Sequence, residues 1–216
     1  MKFNLIELPE INNQVLLIKN FFSEEQLPRI KEVINIIIPR YLKPARGYYP
    51  GLQYRFPPKT DIHKFFTNFA EQTFDTKVKL LAFMSVLKPA SFDAEYLEPR
   101  IRPHKDVDHN QEWPNSYYGM VIYMFHDKNL GGTSFYKLEE GQDPLLYKNY
   151  KKIKEIQPSY NTAILFNGGL YHRRSKDMLS MKNMPLNRHT FTLHFSTMKN
   201  LEKINPLSEE IKLNLG

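Results

Sequence analysis

Tyr96-Leu97-Glu98-Pro99-Arg100-Ile101-Arg102-Pro103-His104-Lys105-Asp106 alternates as a strand does up to Pro103. Side chains at i and i+2 of a strand share a face. His104 and Asp106 therefore aim an imidazole and a carboxylate at a common point. His172 follows far downstream in Leu170-Tyr171-His172, beside another apolar run. Two imidazoles and one carboxylate can hold one face of a divalent metal and leave positions open for other molecules. Arg188 then heads a further strand-like run, Arg188-His189-Thr190-Phe191-Thr192-Leu193-His194-Phe195.

Composition narrows what can surround those residues. A chain of 216 residues fits one domain, and 41% hydrophobic residues with 13% aromatics can fill its core, so disorder is excluded. There is no cysteine, which removes disulfides, thiolate metal sites and cysteine nucleophiles together. A metal must be held by nitrogen and oxygen, a set that suits Fe(II) or Mn(II) better than a structural zinc. No apolar run approaches the roughly 18 residues that span a bilayer. The first residues lack an apolar segment followed by a small-residue cleavage site, so the expected location is cytoplasmic. The net charge of +7 favours anions. The basic residues are scattered apart from residues 148–152 and Arg173-Arg174. Nucleic acid stays open as a partner without being favoured, and an anionic co-substrate is served equally well.

Along the chain, residues 3–8 and 14–18 read as short strands around an Asn-rich turn. Ser23 and Gln26 form the two ends of a capping box, and Leu27, Ile30, Val33 and Ile37 keep a helical period that Pro39 should end. Residues 41–58 carry Pro44, Gly47, Pro50, Gly51, Pro57 and Pro58 and are expected to be loop, with aromatic and arginine side chains able to close over a substrate. A second helix is expected over residues 60–73, burying Ile62, Phe65, Phe66 and Phe69. Strands are then expected over residues 78–87, 96–103, 117–125, 133–137, 161–166 and 189–196, and a short helical stretch in the polar tail after residue 199. Strands preceded by helices predict a mainly β domain with flanking N-terminal helices, a jelly roll or double-stranded β-helix. Residues 1–75 would give helical support and the substrate loop, and residues 76–197 the jelly-roll core, of a single domain spanning 1–216.

Four segments occur in a telling order: His104-Lys105-Asp106, Gly131-Gly132-Thr133-Ser134-Phe135, Leu165-Phe166-Asn167-Gly168-Gly169-Leu170-Tyr171-His172 and Arg188-His189-Thr190. Over roughly residues 95–197 this order resembles the 2-oxoglutarate/Fe(II)-dependent dioxygenases, most closely the prolyl-4-hydroxylase-like branch. The resemblance implies that His104, Asp106 and His172 are the metal ligands and catalytic centre. It implies that 2-oxoglutarate chelates Fe(II), with its far carboxylate on Arg188 and with Thr190 and Tyr123 beside it. Dioxygen would be the third reactant, succinate and CO2 the co-products, and hydroxylation of an unactivated C–H bond the outcome. Related halogenases lack the carboxylate ligand, so Asp106 favours hydroxylation. The substrate would be a small molecule or a peptidyl side chain.

Alternatives stay open residue by residue. Asp108 shares the His104 face with Asp106, and His126, His189 and His194 compete for the second nitrogen. Many members of the branch carry lysine at the co-substrate position, nearer the distal histidine, so Arg174 competes with Arg188. Thr133 and Asn167 are pocket candidates, and Arg102, Asp108 and Trp113 are candidate substrate contacts. Two other classes remain: a cupin-like metal protein without 2-oxoglutarate, which has no use for Arg188, and a basic nucleic-acid-binding module, in which the histidines are structural.

Overall fold

A computed structural model describes residues 1–44, 51–87, 102–106, 117–175 and 188–197. Strands β1 (Lys2–Leu8) and β2 (Asn13–Lys19) pair antiparallel. The chain turns between them at Asn12, whose φ of 47° lies in the left-handed region that asparagine tolerates. Ser23 and Gln26 then cap each other. The Ser23 N–H donates to Gln26 Oε1 at 3.0 Å, and the Gln26 N–H donates to Ser23 Oγ at 3.3 Å. After this turn, helix α1 runs from Leu27 to Arg40. Pro39 lies inside its last turn rather than ending it. The donor that proline lacks would have served Asn35, which is exposed, so water can replace it.

Residues 41–58 are not all loop. They contain β3 (Lys43–Pro44) and β4 (Gly51–Arg55), paired with each other. A sheet edge tolerates the proline that suggested a loop, because Pro44 sits on the terminal strand, where proline is ordinarily accommodated. Helix α2 (Asp61–Phe74) follows and buries Ile62, Phe65, Phe66 and Phe69.

The remaining strands are β5 (Val78–Leu87), β6 (Tyr117–Tyr123), β7 (Thr133–Leu138), β8 (Tyr150–Ile156), β9 (Thr162–Asn167), β10 (Tyr171–Arg174) and β11 (His189–Thr197). Of the strand expected over 96–103, only Arg102 and Pro103 are described, and neither is in a strand; the tail after residue 199 lies outside the described residues.

These strands build two antiparallel sheets. One has eight strands in the order β1-β2-β9-β6-β11-β5-β4-β3, the other three in the order β10-β7-β8. Alternation gives the large sheet two different faces. Met84, Met120, Leu165 and Phe191 turn to the helices, where they join Phe66 and Phe69 in one buried cluster. Tyr123, Ile164 and Phe166 turn the other way, onto Phe135 and Ile156 of the small sheet. The helices thus support the large sheet from behind and leave its other face to the small sheet. Gly131-Gly132 makes the entry to β7: Gly131 has φ 78°, and a Cβ on Gly132 would collide with the Ile156 carbonyl of β8.

Candidate metal centre

His104 and His172 face each other across one antiparallel rung. The His104 N–H donates to the His172 carbonyl at 3.0 Å, and the His172 N–H donates back to His104 at 2.9 Å. Two residues on, the Asp106 N–H donates to the Gly168 carbonyl at 2.9 Å. The short segment 102–106 is therefore laid against β10 and the turn before it, which extends the small sheet by one edge.

This brings three side chains together. His104 Nε2 is 3.8 Å from Asp106 Oδ1, and His172 Nε2 is 3.5 Å from Asp106 Oδ2. One donor atom from each residue lies within 4.8 Å of the others, and no further residue joins the group among those described. His172 Nδ1 lies 2.9 Å from the Leu170 carbonyl. A carbonyl only accepts, so Nδ1 carries a proton and Nε2 is the nitrogen that faces the cluster. Two imidazole nitrogens and one carboxylate, with no sulfur, fit Fe(II) with positions left open.

The charges reinforce one another. Burial opposes ionisation of Asp106, but the neighbouring charge of His172, then His194 facing it first as a donor and then as a charge, outweigh it and hold the carboxyl well below the usual carboxylate range. Packing around the inner side of the ring, with His172 alongside, pushes His104 down to about 4 although its side chain is 43% exposed, so the ring is neutral and able to ligate at ordinary pH. Room for the carboxylate comes from Gly119 of β6, where a Cβ would stand 2.6 Å from Asp106 Oδ2.

A second group lies where β11 begins. Arg188 is 5% exposed. Its Nε donates to the Gly131 carbonyl at 3.2 Å, and its guanidinium carbon is 5.4 Å from the Phe125 ring centroid. Among the described residues no carboxylate forms a salt bridge with it. Tyr123 Oη and Thr133 Oγ1 are 2.7 Å apart, and Thr190 is the cross-strand partner of Tyr123 on the same face of the large sheet. Burial raises the Tyr123 hydroxyl to about 12 against the pull of Thr133 and Arg188, so it stays protonated. Arg188, Tyr123, Thr133 and Thr190 thus form a buried polar group whose positive charge meets no carboxylate among the described residues.

Of the competing residues, His194 does reach the cluster, with Nδ1 3.5 Å from Asp106 Oδ2, while the others fall elsewhere or outside the described residues. His189 precedes Thr190 and faces the helix side, and His126 stacks on Tyr160 at 4.2 Å. Arg174, cross-strand from Thr133, is only half buried, so Arg188 is the more enclosed of the two arginines. Asn167 holds its own turn by accepting from the Gly169 N–H at 2.8 Å. Arg102 lies close enough to Tyr150 to act on its hydroxyl. Asp108 and Trp113 lie outside the described residues. Two contributors had not been singled out from the sequence. The Leu170 carbonyl has no side-chain signature at all. Gly119 has a faint one, since a glycine inside an apolar strand marks a close approach.

A family model described as Family of unknown function (DUF6445) matches residues 1–145. The chain belongs to that family. The match takes in His104 and Asp106 and stops before His172 and Arg188. No curated protein matches the sequence of this DUF6445 member. Solved structures resemble it over most of its length. One is a prolyl-4-hydroxylase of Pseudomonas putida, 11% identical, covering 87% of this chain and 93% of that one at a TM-score of 0.51. Another is SnoK, a non-haem α-ketoglutarate-dependent carbocyclase from nogalamycin biosynthesis, 10% identical, covering 91% and 90% at 0.57. A third is an oxidoreductase of the 2OG-Fe(II) oxygenase family from Burkholderia pseudomallei, 13% identical, covering 86% and 85% at 0.52. At such identities the likeness is one of fold. This DUF6445 protein has the fold of the 2-oxoglutarate/Fe(II) oxygenases, a prolyl-4-hydroxylase among them.

Proposed function

We propose that this DUF6445 protein is an Fe(II)- and 2-oxoglutarate-dependent oxygenase that hydroxylates an unactivated C–H bond and releases succinate and CO2. The observation that carries the proposal is the convergence of His104, Asp106 and His172 donor atoms within 4.8 Å of one another. Iron bound there supplies the oxidising chemistry, with 2-oxoglutarate and dioxygen as its reactants. The protein's part is to bind, orient and exclude. His104 and His172 offer imidazole nitrogens, and Asp106 offers the charge that balances a divalent ion. Arg188 offers a planar pair of donors to the far carboxylate of 2-oxoglutarate. The Tyr123 and Thr133 hydroxyls, with Thr190 on the same face, complete that end of the pocket.

Arg188 also separates this proposal from a cupin-like protein that has no such co-substrate. A guanidinium buried to 5% exposure with no described carboxylate beside it is costly unless an anion joins it. The eight- and three-stranded sheets support a jelly roll. β1 and β2 pair directly onto β9 of the large sheet, which supports one oxygenase domain over the whole chain. Two similar folds bear the names of a prolyl-4-hydroxylase and an enzyme of nogalamycin biosynthesis. Those names favour a peptidyl or small-molecule substrate.

The test is anaerobic addition of Fe(II) and 2-oxoglutarate, watched for the visible charge-transfer band of the chelate. His104→Ala and His172→Ala should abolish the band. Arg188→Ala should keep iron but weaken 2-oxoglutarate binding by roughly 10- to 100-fold, the worth of a charge-assisted hydrogen bond. Iron bound to the wild type with no band would replace this proposal with the cupin one.

A further inference from the structure

His194 is left over by the account above. It lies on β11, on the same face as Thr190, with Nδ1 3.5 Å from Asp106 Oδ2. That nitrogen is buried and has no hydrogen-bond partner among the described residues. A polar atom shut away from water needs one. The ring is held in place rather than loosely packed. Tyr117 lies nearly parallel to it, 18° and 6.1 Å away, and Phe83 meets it at 73° and 6.0 Å. His194 is not among the residues whose donor atoms converge on a common point. It therefore reaches a ligand and not the metal.

The residue directly across the ladder from His194 is Gly119. The two act on the same oxygen: a Cβ at 119 would stand 2.6 Å from Asp106 Oδ2, and His194 Nδ1 faces that atom from the adjacent strand. One strand supplies a hollow and its neighbour a donor. We infer that Gly119 and His194 form a seat for Asp106, in which the His194 Nδ1–H donates to Oδ2, the oxygen that His172 Nε2 also faces at 3.5 Å, and so turns Oδ1 to the metal. The inference rests on the metal site proposed above and goes beyond it by assigning a positioning residue. A carboxylate is only an acceptor, which fixes the proton on Nδ1. The 3.5 Å separation is at the outer edge of hydrogen bonding, and a small side-chain rotation closes it.

The chemical consequence concerns the open positions. A carboxylate free to turn can bind a metal through both oxygens and so occupy a position that the co-substrate or dioxygen needs. Holding Oδ2 to His194 prevents that.

The variants that test this follow from geometry. Asparagine at 194 places its amide nitrogen near the position of Nδ1, whereas glutamine places it near Nε2, on the far side of the ring. Phenylalanine keeps the ring and removes the donor. Each variant would be titrated with Co(II) alone, recording affinity and the visible d–d spectrum, with thermal unfolding of the metal-free proteins as the control for folding. His194→Phe and His194→Gln should bind cobalt about 10- to 100-fold more weakly than wild type, the usual cost of losing a group that orients a ligand. Their spectra should change as the carboxylate turns. His194→Asn should stay within about threefold of wild type and keep its spectrum, because the donor to the ligand is retained. If His194→Phe does not fold, the Asn and Gln pair decides. Wild-type affinity and spectrum in His194→Phe, or equal losses in His194→Asn and His194→Gln, would overturn the seat while leaving the metal site standing. A wild-type protein that fails to bind cobalt would overturn the metal site and the seat together.

Discussion

At His172 the backbone decides which nitrogen faces the candidate metal site. The Leu170 carbonyl accepts from the Nδ1–H, and the ring is steadied by Phe166, 4.6 Å between centroids. None of this is visible in Leu170-Tyr171-His172 as letters. The order of His104, Asp106, His172 and Arg188 is visible, because ligand chemistry restricts which residue types can serve. Their partners are not, because a carbonyl and a glycine advertise nothing about the atoms they will touch. Gly119 gives the clearest consequence at this scale. Gly119→Ala puts a methyl against Asp106 Oδ2 and within 2.8 Å of Phe166, so something must move. The expected outcome is a loss of Co(II) affinity of at least about tenfold, as when a ligand loses its orientation. Thermal and chemical unfolding should show about 1–3 kcal/mol of destabilisation from overpacking.

Among the elements, legibility followed apolar content. β5 was readable end to end, residues 78–87, since its alternate positions fill the core behind the sheet. α2 was readable because Phe65, Phe66 and Phe69 recur at helical spacing. β8 went unread: Tyr150-Lys151-Lys152-Ile153-Lys154-Glu155-Ile156 alternates, but its lysines look like a charged surface run and its core contribution is slight. β10 was too short, and β4 was hidden between prolines. Phe66 ties the layers together, fully buried with its ring centroid 5.6 Å from that of Phe191 on β11. Phe66→Ala should therefore cost about 3–5 kcal/mol in denaturant unfolding. Cobalt affinity of the fraction still folded should be unchanged, since Phe66 lies on the opposite face of β11 from the site. A matching loss of affinity would show that the helical layer tunes the site and does not merely support it.

For the molecule as a whole, the site makes stability depend on pH. His104 sits near 4 in the folded chain against an ordinary 6.5, so the unfolded chain takes up its proton more readily. The stability held by the neutral ring is complete above about 6.5 and is lost as pH falls toward 4. The His104 side chain is 43% exposed, so solvent screening keeps the effect modest. Asp106, whose folded value is depressed, adds a second loss that begins below the ordinary carboxylate value of 3.8. Melting temperatures of chelator-treated protein should change little above pH 7, decline from about 6.5 to 4, and go on declining below as Asp106 takes up its proton. Saturating Co(II) should move the first decline to lower pH, because a bound metal excludes the proton from His104. A flat profile across that interval, with and without metal, would contradict the depressed His104.

The rung that joins His104 to His172 separates the metal site from the length of chain between them. Two backbone hydrogen bonds set the spacing of the imidazoles, so an added loop between β7 and β8 leaves that spacing alone. Segments for recognising different molecules could thus be grafted there, or lengthened over generations, around a candidate metal site whose dimensions stay constant.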